Sequence, residues 1–148
     1  MSTRDEDKRD QDALDPERQG KLRRSVGERA RGISDEDIKR LLERERELEE
    51  KARRLPGKFE RLIAQVKLLF EVVRAYWKGD YREIPWSTVA MSVVALVYFL
   101  SPLDMIADYL PGLGYIDDAF VIGIVIASVK EDLKKYCEHM GYELERFF

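Results

Sequence analysis

A chain of 148 residues with one cysteine and one histidine can form no intrachain disulfide and lacks the several Cys or His ligands that a zinc site usually takes. Its 26 basic and 29 acidic residues are interleaved and leave a net charge of −3, so no basic stripe with interleaved aromatics supports nucleic-acid binding. The length suits one domain, but the charge is unevenly spread: residues 1–58 are densely charged, and every aromatic lies in 59–148.

Residues 1–33 read as a disordered charged arm. They lack aromatics and mix Asp, Glu, Lys and Arg with Gly20, Gly27 and Gly32. They bury too little apolar surface to offset the entropy of ordering, and a helix near 17–30 would be marginal alone. The start, MSTRDEDKRDQD, has no apolar signal-peptide core, so the N-terminal region reads as cytoplasmic.

Residues 34–55 read as a charged helix. Ser34 suits the N-cap, Asp37 the capping-box position, and Asp35 and Glu36 the positive helix end. The apolar stripe is thin: Ile38, Leu41, Leu42, Leu48, Ala52 and Leu55, interrupted by Glu45. Two readings stay open, a solvated helix or a weak coiled coil engaging a protein partner or a second copy. Pro56-Gly57 ends the unit.

Residues 58–148 read as a helical domain. Phe59, Leu62, Ile63, Val66, Leu69, Phe70, Val73, Tyr76 and Trp77 recur at helical spacing, which predicts an amphipathic helix. Its polar face carries Lys58, Arg61, Lys67, Arg74 and Lys78 against Glu60 and Glu71. A basic face ending in Tyr and Trp suits an anionic bilayer surface, which makes Lys67, Arg74, Tyr76 and Trp77 candidate membrane-interface residues. Packing of the apolar stripe as ordinary core is the competing reading, and the two are compatible.

After a loop at 78–83, Pro85 suits the first turn of a helix. Residues 84–103 carry no charge, and the run VAMSVVALVYFL within them is hydrophobic all round, so it belongs inside a protein or in lipid. The segment reaches the ~20 residues of a bilayer span only by counting Pro85, Ser87, Thr88, Ser101 and Pro102, a borderline transmembrane helix. The second run, AFVIGIVIASV at 119–129, rises roughly 16 Å as a helix, about half a hydrocarbon core. It continues as helix to about His139, with Gly141 as the stop signal. Cys137 and His139 read as surface residues of that helix, and two residues apart they point in different directions, which disfavours a nucleophile pair. The tail packs back through Leu144, Phe147 and Phe148.

Between the runs lies SPLDMIADYLPGLGYIDD. Ser101 suits the N-cap, Pro102 the first position and Asp104 the capping box of a short helix. Pro111 stops that helix, Gly112 and Gly114 permit a tight turn, and Asp117 caps the last helix. Asp108 lies one turn from Asp104 on the same face, and Asp118 falls just inside the next helix. Asp104, Asp108, Asp117 and Asp118 are therefore candidate metal ligands, because converging carboxylates and a turn carbonyl suit Mg²⁺ or Ca²⁺. Capping and pairing with Arg82, Lys130 or Arg146 is the competing explanation, and the spacing matches no EF-hand loop. No other cofactor is indicated.

The stretch YFLSPLDMIADYLPGLGYIDDAFVI resembles the signature of the YkvA-like family, a small domain of unknown function. The matching pieces are Ser101-Pro102-Leu103-Asp104, Asp108, Pro111 and Gly114-Tyr115-Ile116-Asp117-Asp118, with an apolar helix on each side, in all residues 84–135. Members often carry proline where this chain has Ala107. The resemblance implies a helical, membrane-associated domain without established catalysis.

The expected fold is all-α: an apolar helical hairpin with a short helix at its turn, preceded by an amphipathic helix, a charged helix and a disordered N-terminal arm. The expected function is a membrane-anchored interaction or structural protein with the lipid bilayer as partner and its N-terminal region in the cytoplasm. A soluble helical-bundle interaction module is the first alternative. A divalent-cation-binding protein or Mg-dependent hydrolase is the second, for which no nucleophile, phosphate loop or histidine base is visible.

Overall fold

The computed structural model describes residues 16–101 and 118–148, and no strand occurs among them. Six helices follow in chain order: α1 (Pro16–Arg31), α2 (Asp35–Glu43), α3 (Glu45–Arg54), α4 (Glu60–Lys78), α5 (Trp86–Leu100) and α6 (Asp118–Met140). Short 3₁₀ turns at Gly57–Phe59 and Leu144–Arg146 precede α4 and follow α6.

α5 is the central rod. It packs against α1, α4 and α6, and α2 and α3 also reach it. Its side chains are apolar all round because it has neighbours all round: Val89, Val93, Ala95, Leu96, Tyr98 and Phe99 are all buried. The hairpin expected from the sequence is present. Thr88, in the first turn of α5, donates a 2.7 Å hydrogen bond to Asp132 in the second half of α6, so the two helices run antiparallel. The borderline transmembrane expectation is corrected, since no helix among the described residues is long and apolar enough to cross a membrane. The 15 residues of α5 rise about 22 Å, short of the ~30 Å hydrocarbon core. The short helix expected at the hairpin turn lies outside the described residues.

The expected disordered arm also needs correction. From Pro16 onward it is helix, and Leu22, Val26 and Ala30 form a four-residue-spaced stripe buried in the core. The helix is not isolated, as the entropy argument assumed; docking on α5 supplies the burial that its own composition cannot. Residues 1–15 lie outside the described part.

Ser34 caps α2 as the sequence indicates. Its backbone N–H donates to the Asp37 carboxylate at 2.8 Å, and the Asp37 N–H donates back to the Ser34 hydroxyl at 3.4 Å. The single helix expected over 34–55 is instead two. The chain turns at Arg44, whose guanidinium binds Glu47 at 2.9 Å and the Ser101 hydroxyl at 3.1 Å. The bend keeps Ile38 and Leu41 before it, and Leu48 and Ala52 after it, all buried. Those four residues face the chain's own bundle, while Leu42 and Leu55 of the stripe are half-buried.

α4 follows its predicted amphipathic pattern and buries Leu62, Val66, Leu69, Phe70 and Val73, with Leu68 and Val72 added on a broader face. It ends at Gly79, whose φ of 82° is left-handed and whose N–H closes back on Ala75 and Tyr76. Gly141, with φ of 75°, ends α6 in the same way. Beyond it Phe147 is buried, and its carbonyl accepts a 2.8 Å bond from Gln65, which pins the tail to α4 as expected.

Candidate membrane-facing end

Three chain segments meet where α4 ends, α5 begins and α6 ends. Gly79 reverses the chain after Tyr76, Trp77 and Lys78, and Tyr81 then turns inward. Its ring meets Tyr136 edge-on at 5.1 Å and His139 at 5.0 Å, so the loop lies over the end of α6. Ile84 is buried behind it, and Pro85 opens α5.

This anchoring leaves Trp86 outside. It is 39% exposed and stands 5.9 Å from the Tyr76 ring. The Arg82 guanidinium lies over the Tyr76 ring, 5.3 Å from its centroid. Met140, at the end of α6, is 45% exposed, and these two are the exposed large hydrophobics among the described residues. Both sit at the same end of the bundle. Lys39, Lys78, Arg82 and Lys135 are exposed there, and so are Asp80, Glu83 and Glu138, so the formal charges nearly offset one another. Chemically, this end offers an aromatic pair, a stacked guanidinium and a flexible thioether, groups that partition to a membrane–water boundary.

Behind the end lies a polar tie between α4 and α6. The half-buried Glu71 carboxylate accepts from the Tyr136 hydroxyl at 2.7 Å and the Tyr142 hydroxyl at 3.0 Å. Burial first, and then the Glu71 carboxylate, push both phenols above their ordinary range. The same two causes push the Cys137 thiol up to about 11. Cys137 is fully buried, not the surface residue the sequence suggested, and its thiol stays protonated and inert at neutral pH. His139 is exposed, as expected.

The candidate interface residues divide into two pairs. Tyr76 and Trp77 lie at this end, and the Lys39 ammonium sits 5.7 Å from the Trp77 ring. Arg74 is instead held by an ion pair with Glu45 of α3 and lies over the Phe70 ring at 4.9 Å. Lys67 is exposed further down α4, beside α3. Trp86 and Met140 were missed by the sequence reading. An aromatic just after a helix-opening proline was the available signal for Trp86, and nothing local marked Met140.

Ser101 ends α5, with its N–H on the Val97 carbonyl at 2.8 Å and its hydroxyl bound by Arg44. Pro102, Asp104, Asp108, Pro111, Gly112, Gly114 and Asp117 lie outside the described residues, as does the Asp118 side chain, although Asp118 opens α6. Among the described residues no group of three or more His, Cys, Asp or Glu is placed to hold a metal ion.

A family model described as a protein of unknown function, DUF1232, matches residues 88–124, which run from α5 across the hairpin turn into α6. The uncharacterized membrane protein YkvA of Bacillus subtilis (strain 168) is 35% identical over 74 residues, half of this chain and 70% of that protein. No solved structure matches the chain.

Proposed function

Because the chain belongs to the YkvA-like family of proteins of unknown function, we propose that it is a membrane-associated helical protein with a structural or interaction role rather than a catalytic one. The Bacillus relative's description as a membrane protein supports the association. The observation that carries the mode of contact is exposed Trp86 beside Tyr76, whose ring Arg82 covers, at the bundle end that also exposes Met140. In this reading the folded bundle rests that end on the bilayer, and α1–α3 stay on the cytoplasmic side. Insertion of the hairpin would first have to strip α1 and α4 from α5, exposing a buried core. Because the exposed charges at this end nearly offset one another, apolar and aromatic contact more than net charge holds the protein to lipid.

A second reading, an interaction module working in water, is favoured by the enclosure of α5 on all sides. Cell fractionation separates the two. Surface docking predicts recovery with membranes and release by an alkaline carbonate wash. Resistance to carbonate would overturn surface docking in favour of insertion, and recovery in the soluble fraction from the start would leave the second reading.

A further inference from the structure

We infer that the groove between α3 and α4 is the seat of a second copy of this chain, with the two α3 helices laid antiparallel across a twofold axis. α3 packs on α2 and α5, and an ion pair between Glu45 and Arg74 ties it to α4. Toward the rest of α4 it leaves two neighbouring clefts of about 340 and 210 Å³, which share Glu49 and Lys67. The floor is partly exposed apolar surface from Leu55 and Ile63.

Charge identifies the occupant. Glu45, Glu49 and Arg53 follow at four-residue spacing on the α3 wall, so one face of the helix runs from acidic to basic. The helix dipole accounts for that order of charges, but not for an open groove beside it. A helix whose face is acidic at one end and basic at the other is complementary to itself when reversed. Under twofold symmetry Glu49 faces the partner subunit's Arg53, while Arg53 faces the partner subunit's Glu49, one contact made twice. Leu55 and Ile63 of each copy flank that contact as apolar surface. Exposed charge pairs contribute little individually, so the dimer is weak, concentration-dependent and sensitive to salt.

Sedimentation velocity on the full chain tests this, with circular dichroism to verify the fold of each variant. The wild-type protein should shift from monomer to dimer with rising concentration at low salt, and back to monomer at high salt. Glu49→Arg makes both contacting positions basic, and Arg53→Glu makes both acidic; each alone should stay monomeric. Mixed in equal amounts, the two should recover the dimer, because each reversed charge then meets its opposite. Both positions are exposed, so the variants should fold. A wild-type monomer at every concentration would overturn the proposal. So would single variants that dimerise like wild type, or a mixture that stays monomeric.

Discussion

The Tyr136 hydroxyl reaches across the bundle to the Glu71 carboxylate at 2.7 Å and so couples the last helix to the amphipathic one. Tyr136 is nearly fully buried, and Glu71 also receives Tyr142, so two phenols satisfy one carboxylate. Tyr136→Phe keeps the ring and removes the bond; hydrogen bonds to charged groups are worth about 1.5–3 kcal/mol, and that is the expected loss in denaturant unfolding. Glu71→Gln retains an acceptor and should cost less than Glu71→Ala. Equal costs for the two would mean that the side chain only fills space.

The same corner gives the fold an alkaline limit. Burial and Glu71 raise the Cys137 thiol from 9.0 to about 11, and the Tyr81, Tyr136 and Tyr142 phenols also lie above their usual 10.0. The folded chain therefore holds these protons more tightly than the unfolded chain, and stability falls with pH wherever the unfolded chain has already released them. Their contribution is complete below the ordinary thiol value of 9.0, begins to be lost between there and about 11 through the Cys137 thiol, and falls further as the unfolded phenols ionise. Melting temperature measured from neutral pH upward should show this decline, and Cys137→Ala should remove its earlier part. A flat profile through that window would contradict the assignment.

Docking of α1 has a simple mutational signature. Leu22 is fully buried, and truncating such a side chain to alanine costs about 2–5 kcal/mol. Lys21, one position away and exposed, should tolerate alanine within about 0.5 kcal/mol. Urea midpoints would distinguish them. Similar small effects at both positions would return residues 16–31 to the free arm suggested by their composition.

These features were unequally legible in the sequence. The Ser34 cap and the Gly141 stop are local signals and could be read directly. α1 could not, because what orders it is the surface of α5, some seventy residues away. The burial of Cys137 is legible, against its expected place on the surface, because Leu133, Tyr136 and Cys137 recur at helical spacing on one buried face. The bend at Arg44 carries no glycine or proline, and the side chain there ties to Ser101, far along the chain. At the candidate membrane-facing end, Tyr76 and Trp77 stood out as a cluster. That Trp86 and Met140 share this end with them depends on chain reversal, which no periodicity records.

Thr88 offers a test of the hairpin. It is buried and donates to Asp132, so Thr88→Val keeps the shape and removes the partner of a carboxylate, at a cost of about 1–3 kcal/mol. Ser92, which bonds only the Thr88 carbonyl within its own helix, should matter less when changed to alanine. The reverse order in thermal melts would place the α5–α6 contact elsewhere.

The chain has two tryptophans, Trp77 and Trp86, and that permits the most direct test of bundle-end docking. With Trp77→Phe, the emission of Trp86 should shift to shorter wavelength and become shielded from an aqueous quencher when lipid vesicles are added, and moderate salt should not reverse the change. Emission from Trp86 that stays unchanged and quenchable, while the protein sediments with those vesicles, would contradict docking through this end of the bundle.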